Sequence, residues 1–434
     1  MRISIRIFGL LAFVLFLVPS VFAQTNPPPS DPHELVIHQP RTLSSPAERS
    51  GAIDLLEQAR QDLNMHIFGA YELKASFQTS GATQNEGDGT MEELSNGPEW
   101  RWTAQMQGAT VVRMGGNGHA YGANPNEPVP MRIQEIRAAL HWPIFRNAGA
   151  QNVIRSANAE LNRKPVTCLL LSSAVPENPA PRAWVEEEYC IDSATGLLQM
   201  WSAAPGIYAE YDYEGATEFK GHTLPRQISI FEGGALVVQA RVESFGDPGE
   251  IDPNAFKPGP EMTDTGESFT LSGPRRFPMR VDPSDEPPST YFQPVIVHAT
   301  LDAQEGRVMD AEVLQNSNQD LSRAALELVR STSFHATGFQ QEVFISVQFH
   351  LPAQQVGGVP VLHSSVHWVI WEHRGKVTLE SSVSRRRRAA TPHIRVQNRE
   401  SGAPCPTSAI GGRTRHGQRR RKWARLRLKR ERVA

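Results

Sequence analysis

The clearest alternation of hydrophobic and polar positions lies between residues 291 and 351 of this 434-residue chain. Apolar residues occupy every second position from residue 295 to 301, which is typical of a half-buried strand. The polar segment 302–306 ends in glycine and predicts a tight turn. Residues 307–314 carry apolar side chains on one face, so we expect a second strand that returns beside the first.

A helix and a third strand follow this pair. Polar residues at 316–320 are candidates for a helix N-cap, and apolar residues recur at helical spacing between 321 and 331. Residues 343–351 then alternate more regularly than any other segment of the chain. The order strand, strand, helix, strand predicts a small α+β unit with one helix packed on a sheet.

This unit, at about residues 285–352, resembles the C-terminal domain of the TonB energy-transducer family. The resemblance rests on segments 306–308, 313–318, 321–326 and 347–351, together with Phe334. The chain departs from the family pattern at Ser322, where the family usually has Asp. A capping or turn role of that residue is therefore not carried over.

The TonB resemblance implies contact with outer-membrane transport proteins. The physical route would be β-augmentation, in which an extended peptide adds a strand to an exposed sheet edge. The predicted partner-binding edge is the strand at 343–351, because its clean alternation stands next to a segment without a clear pattern. The residues assigned to this edge are Val343, Ile345, Val347, Phe349 and Leu351.

Residues 50–257 are dominated by short runs that are typical of strands. A helix is predicted at 50–65 with Ser50 as its cap, and a helical segment is predicted near 132–142. About ten strands after an opening helix suggest a large curved antiparallel sheet with a helix against its concave face. The predicted strands are 73–77, 89–94, 100–106, 110–114, 165–172, 184–192, 197–203, 208–213, 227–231 and 236–242.

That arrangement resembles the LolA/LolB-type periplasmic lipoprotein-carrier fold. The resemblance rests on the opening helix, the run of strands and the segments 71–81, 190–198 and 251–256. It implies an apolar cavity that would hold an acyl chain or another hydrophobic partner. Five aromatic residues are either lining residues of that cavity or ordinary core aromatics: Phe77, Trp100, Trp102, Trp201 and Tyr211.

The N-terminal segment predicts export. Two arginines precede an apolar run at 7–18, and residues 21–23 fit a small-residue cleavage site. Residues 1–23 are therefore interpreted as a signal peptide and residues 24–49 as a flexible lead-in. The expected location is the periplasm, or the inner membrane if the signal stays uncleaved as an anchor, although its apolar run is short for a membrane span.

The cysteines fit an oxidising compartment. Cys168 and Cys190 lie in two predicted strands, and export favours a disulfide between them over two buried thiols. Cys405 lies far from both in the sequence and has no visible partner.

Residues 258–289 are rich in proline and predict an extended linker between the 50–257 domain and the TonB-like domain at 290–352.

Residues 353–434 predict a basic tail of low order. From Ser381 onward the tail carries 15 Arg, 2 Lys and 2 acidic residues, which leaves a formal net charge of −17 on the rest. A basic arm suits nucleic acid, but export and the lack of interleaved aromatic residues argue against that partner. Out-of-frame coding sequence is an equal alternative for the tail.

The sequence carries no motif for catalysis, a cofactor or a metal. A Gly-x-Ser-x-Gly elbow, a phosphate-binding loop and a spaced Cys/His set are missing from it. We expect a non-enzymatic α+β protein with a curved antiparallel β-sheet and packed helix, a small β-β-α-β domain and a disordered basic tail. The first function predicted is an interaction protein that acts through the C-terminal unit. The alternative is a periplasmic carrier of a lipid or other hydrophobic ligand, and an unrecognised hydrolase ranks third.

Overall fold

The described part of the chain forms two large sheets and three helices within one compact unit, Met1–Arg395. The computed structural model describes residues 40–379 except 66–68, 82–85, 117, 124–128, 142, 145–148, 150–151, 174, 176–181, 268–274, 284–287, 316–317, 339, 353–367 and 373–374. The predicted signal peptide, most of the lead-in and most of the basic tail lie outside these residues. Among the described helices, none has the length and apolar character needed to cross a membrane.

Helix α1 (Pro46–Leu63) opens the N-terminal domain. The hydroxyl of Ser45 caps it by accepting a hydrogen bond from the N–H of Glu48 at 3.2 Å. Pro46 fits the first helical position because no N–H donor is needed there. The predicted start at residue 50 is therefore wrong, since Ser45 and not Ser50 is the cap.

The sheet of the N-terminal domain is built from fourteen described strands, and its strand pairs are antiparallel. Two further strands form a separate two-stranded sheet. The elements are β1 (Arg41–Thr42), β2 (Ala70–Thr79), β3 (Gly87–Asn96), β4 (Glu99–Met106), β5 (Ala109–Gly116), β6 (His119–Ala123), α2 (Met131–His141), β7 (Val153–Leu161), β8 (Lys164–Ser172), β9 (Glu187–Asp192), β10 (Leu198–Ala204), β11 (Ile207–Asp212), β12 (Glu218–Phe219), β13 (His222–Thr223), β14 (Gln227–Glu232), β15 (Ala235–Gly246) and β16 (Met262–Glu267).

The strand order in space is β1-β7-β8-β9-β10-β11-β14-β15-β2-β3-β4-β5-β6-β16. The central pairing of β15 with β2 places Ala240 opposite Phe77 and joins two meanders. Strands β1 and β16 lie at opposite ends, so the sheet is open. This confirms the predicted large antiparallel sheet, which dominates a mixed α and β fold.

Both helices of this domain pack on one face of the sheet. Leu56 and Ala59 of α1, and Ile136 and Ala139 of α2, are almost fully buried in the core that they share with the strands. The helices bury apolar stripes, as amphipathic surface helices do. The face of the sheet that they cover is therefore a packed core.

The C-terminal domain is a six-stranded sheet with one helix. Its elements are β17 (Arg275–Pro283), β18 (Pro288–Leu301), β19 (Val308–Gln315), α3 (Gln319–Ser331), β20 (Gln341–Pro352), β21 (Trp368–Glu372) and β22 (Gly375–Leu379). The strand order is β19-β18-β20-β17-β21-β22. Asn318 caps α3 by accepting from the N–H of Asp320 at 2.8 Å, and Leu321 and Leu328 bury the helix against the sheet. The succession β18, β19, α3, β20 has the order predicted from the sequence.

The predicted partner-binding edge is wrong, because β20 is an internal strand. Its backbone pairs with β18 on one side and with β17 on the other. Val343, Ile345, Val347 and Phe349 are buried in the core of the domain. Leu351 lies near the end of β20, where the backbone alone is described. A foreign strand could pair here only if β17 left the sheet.

The predicted linker and tail both contain strands. Within residues 258–289, β16 pairs with β6, and β17 runs parallel to β20. The prolines of this segment hide the strand pattern. Among the described strands, β20 alone neighbours β17 at Pro278, and a missing N–H is tolerated there. Strands β21 and β22, within residues 353–434, extend the second sheet beyond β17.

The predicted disulfide is confirmed. Cys168 of β8 and Cys190 of β9 are directly opposite each other, with Cα atoms 4.0 Å apart, and their sulfur atoms are bonded. The bond closes a loop with a sequence separation of 22, which stabilises the fold by about 3 kcal/mol on the loop-entropy estimate.

Candidate functional site at the domain junction

Both faces of the second sheet are buried around strand β18. One face packs with α3 in the core of the C-terminal domain. The other face carries Ile296, His298 and Thr300, none of them more than 2% exposed. Ile296 and Phe344 of this face belong to the hydrophobic core of the N-terminal domain. The two domains therefore meet at a buried junction.

Strand β19 of the C-terminal domain packs directly on two glycine turns of the N-terminal sheet. A Cβ atom on Gly206 would lie 2.4 Å from the carbonyl oxygen of Leu314, and one on Gly233 would lie 3.0 Å from it. Both glycines have positive φ, and the N–H of Gly233 donates to the oxygen of Gly206 at 2.8 Å. A side chain at position 206 would therefore push the domains apart.

Hydrogen bonds cross the junction at two more places. The N–H of Val129 donates to Oε1 of Gln340, and the oxygen of Val129 accepts from its Nε2, both at 2.8 Å. Arg276 of β17 donates to the carbonyl oxygens of Trp184, at 2.5 Å, and Ala203. These contacts fix the C-terminal domain to the loop before α2 and to the strands of the first sheet.

Arg132 of α2 is the centre of a buried charge cluster at the junction. Its Nη1 donates to Oε2 of Glu135 at 2.8 Å and lies 3.0 Å from Oε2 of Glu232. Its Nη2 donates to Glu312 of β19. The guanidinium is 0% exposed, and a buried charge needs such partners because it has lost its hydration. A Cβ on Gly81 would lie 2.5 Å from Nη2, so the backbone packs directly on this cation.

His298 of β18 faces the same carboxylates. Its Nδ1 lies 3.1 Å from Oε1 of Glu232 and 3.6 Å from Oε1 of Glu135. Among the described residues, Oε1 of Glu135 and Nε2 of His298 are buried without a hydrogen-bond partner, and so is Oε1 of Glu342 on β20. In this buried cluster, the described acidic side chains therefore outnumber the basic ones.

The electrostatics of the cluster are set by burial. Burial raises the pKa of Glu135 to about 8, aided by the charge of Glu232 and opposed by Arg132. Burial also raises the pKa of Glu232, and it raises the pKa of Glu342 to about 7. Burial alone would lower the pKa of Arg132, but the surrounding carboxylates outweigh it and raise that pKa. These carboxyl groups hold protons near neutral pH unless a further cation joins them.

A second buried cluster holds the other part of α2. Glu93 of β3 accepts hydrogen bonds from Tyr71 at 2.8 Å and Arg137 at 2.7 Å, and lies 2.9 Å from Nε2 of His141. Burial alone would raise the pKa of Glu93, but His141 and Arg137 outweigh it and hold that pKa below its ordinary value. The Arg137 guanidinium also lies 4.2 Å from the ring centre of Trp102, a favourable cation–π distance. Helix α2 is thus tied by buried ions at both of its ends.

The five aromatic residues named as cavity candidates are core residues in the structure. Phe77, Trp102, Trp201 and Tyr211 are buried, and Trp100 is half-buried against the same core. They lie beneath helices that already fill this face of the sheet. In this structure they are therefore ordinary core aromatics.

The face of the N-terminal sheet away from the helices carries an open groove of about 710 Å³. Polar side chains in register across β4, β3, β2, β15 and β14 form much of its floor. They are Gln105, Thr90, Ser76, Arg241 and Gln227. This groove offers hydrogen-bonding groups, and it does not match the predicted apolar cavity.

Comparison with known proteins gives no family assignment. No protein-family model matches the chain, and no curated protein sequence matches it. Similar solved structures include a LolA superfamily protein from Nitrosomonas europaea, with 10% identity, a TM-score of 0.32, and coverage of 47% of this chain and 96% of that one.

Two further solved structures are similar over part of the chain. An outer membrane lipoprotein-sorting protein domain from Vibrio parahaemolyticus is 9% identical, covers 46% of this chain and 94% of that one, and has a TM-score of 0.30. A Pseudomonas aeruginosa MucA/MucB complex gives 13% identity, 56% and 69% coverage and a TM-score of 0.24. The first of the three is a LolA superfamily protein, the kind of fold predicted for residues 50–257, and the TonB resemblance of residues 290–352 stays a prediction.

Proposed function

We propose that this protein is an exported, non-enzymatic carrier of a hydrophobic ligand. The ligand, an acyl chain or a comparable apolar group, would lie against the helix-covered face of the N-terminal sheet. The observation that carries the proposal concerns the short helix α2, which covers an apolar core. Buried ion pairs hold α2 at both ends, through Arg132 to Glu232 and Glu312 and through Arg137 to Glu93. The export signal predicted at residues 1–23 supports a periplasmic location.

A ligand can reach the apolar face of the sheet only when helix α2 moves away from it. Ile133, Ile136 and Leu140 of α2 are 1% exposed and fill the space that an acyl chain would take. An incoming chain would replace this apolar burial, which is worth about 25 cal/mol per Å². The ion pairs of α2 have no such replacement, so they set the cost of opening.

The C-terminal domain acts in this proposal as the part that controls α2. It supplies Glu312 to Arg132 at one end of the helix and Gln340 to the loop that leads into it. Undocking this domain would remove both contacts. A TonB-type partner strand at β20 is not proposed, because both sides of that strand are paired.

The direct test is to purify the exported full-length chain without detergent, extract it with organic solvent and identify bound lipids by mass spectrometry. A stoichiometric lipid is the expected result. The stripped protein is then titrated with a fluorescent fatty acid. A protein that purifies empty and binds no probe would contradict the carrier function.

A variant on α2 sharpens the test. Arg137→Met removes the contact with Glu93 and keeps an apolar chain over Trp102, so the open state should become more populated. Apparent affinity then rises in proportion to the competent fraction. Arg101→Met is the matched control, since Arg101 is exposed on the same strand as Trp102. Equal probe affinity in both variants would show that α2 is not the cover that moves.

A further inference from the structure

In the buried cluster at the domain junction, two glutamates each direct one carboxylate oxygen to Arg132 and the other to His298. Ion pairs with Arg132 do not by themselves require this second contact. Glu135 and Glu232 each use one carboxylate oxygen, Oε2, toward Nη1 of Arg132, at 2.8 and 3.0 Å. Their other oxygens, Oε1, both turn toward Nδ1 of His298. Arg132 thus orients two carboxylates so that three potential ligand atoms converge.

The distances among these atoms suit a metal ion. The Nδ1 atom of His298 lies 3.1 Å from Oε1 of Glu232 and 3.6 Å from Oε1 of Glu135. One ligand atom from each of the three residues lies within 4.8 Å of the others. Tetrahedral ligands about 2.1 Å from a zinc ion are about 3.4 Å apart, and the two measured edges bracket that value.

Two further observations favour a cation at this site. The Oε1 atom of Glu135 is buried and, within the described ranges, has no hydrogen-bond partner. Within the part of the chain that the structure describes, four acidic side chains, Glu135, Glu232, Glu312 and Glu342, share one guanidinium and one imidazole. A divalent ion would neutralise most of the charge that these carboxylates carry when they are ionised.

We propose that Glu135, Glu232 and His298 bind a divalent transition-metal ion, with zinc as the best match, and that this ion locks the two domains together. An imidazole nitrogen with two carboxylate oxygens suits zinc, whereas magnesium and calcium prefer oxygen ligands alone. Arg132 is a positioning residue, because it holds the Oε2 atoms of Glu135 and Glu232, which do not face the ion. The ligands come from α2, the end of β14 and β18, so no spacing motif could reveal them. The proposal does not depend on the carrier function.

The first experiment uses the full-length chain, dialysed against EDTA and then titrated with zinc chloride near neutral pH by calorimetry. We expect one equivalent to bind and the midpoint of thermal unfolding to rise, because the ion binds only the docked state. His298→Gln and Glu135→Gln should each weaken zinc binding at least about 10-fold. His141→Gln is the matched control, since His141 is also a buried histidine that contacts a glutamate, and it should bind zinc as the wild type does.

X-ray absorption of the wild-type zinc complex keeps the test independent of how well the variants fold. The expected coordination is one imidazole nitrogen and carboxylate oxygens, without sulfur. A wild-type chain that binds no zinc would overturn the proposal, and the cluster would then be a protonated network. Unchanged affinity in folded His298→Gln, or a zinc environment with sulfur or several imidazoles, would equally overturn it by placing the ion elsewhere.

Discussion

At the scale of single residues, the buried carboxyl groups that contact helix α2 or belong to it differ in their preferred protonation state. Glu93 is 2% exposed and contacts Tyr71, Arg137 and His141. His141 and Arg137 favour the charged form of Glu93, whereas burial favours the neutral form of Glu135, a residue of α2. The pKa values of these two carboxyl groups are therefore shifted in opposite directions.

The stability that Glu93 contributes to the fold should depend on pH. Because its pKa is lower in the folded chain than the ordinary 4.5, its stabilising contribution is complete above that pH and declines as the pH falls below it. Glu93→Gln should cost about 3 kcal/mol at pH 7, as loss of one partner in a buried ion pair does. Urea unfolding of both proteins at pH 7 and pH 3.5 measures the difference. A difference that grows at pH 3.5 would contradict the assigned direction.

At the scale of elements, the docking of β19 on two glycine turns is the feature that the sequence could not reveal. Glycine at 206 and 233 indicates turns, but nothing local shows that a distant backbone, at Leu314, packs on them. Strand alternation has the same limit. It correctly predicted that Val295 and Val297 face a core, yet it left His298 on a solvent-facing side that the other domain in fact covers.

Gly206→Ala tests this docking contact. Gly206 and Gly221 have nearly equal φ, +85 and +81, so alanine brings similar backbone strain at both positions. A Cβ at 206 meets the Leu314 oxygen, whereas a Cβ at 221 meets no atom within 4 Å. Gly206→Ala should therefore lower the free energy of unfolding by about 1–3 kcal/mol more than Gly221→Ala, measured by urea titration. Equal losses would mean that the domains do not press together there.

At the scale of the whole molecule, the two domains share one hydrophobic core. The core of the N-terminal domain includes Ile296, Leu314 and Phe344 of the C-terminal domain. A sequence pattern could suggest this only through Ile296 and Phe344, two large apolar residues on an otherwise polar strand face. The strands and helices were largely predictable from local periodicity, whereas their joint burial depends on contacts between distant segments.

Phe344 and Phe349 provide a matched pair for testing cooperativity. Both are 2% exposed on β20, but Phe344 packs in the core of the N-terminal domain and Phe349 in that of the C-terminal domain. Each change to alanine should cost about 3–5 kcal/mol. By hydrogen exchange with mass spectrometry, Phe344→Ala should lower protection in strands β10 and β11, and Phe349→Ala should act first on β17 and β18. The same exchange pattern in both variants would argue against a shared core at Phe344.

The pairing of β2 with β15 has a consequence for how the chain is made. Strand β2 ends at Thr79, and its partner begins at Ala235, so β2 keeps one open side while the intervening segment is synthesised. At roughly 5–20 residues per second, that wait lasts about 8–30 s. An unpaired strand edge is a template for foreign strands throughout this time. In a chain that folds as it emerges, the open side of β2 stays unprotected until residue 246 is available, and a folding helper that shields strand edges would act in that interval.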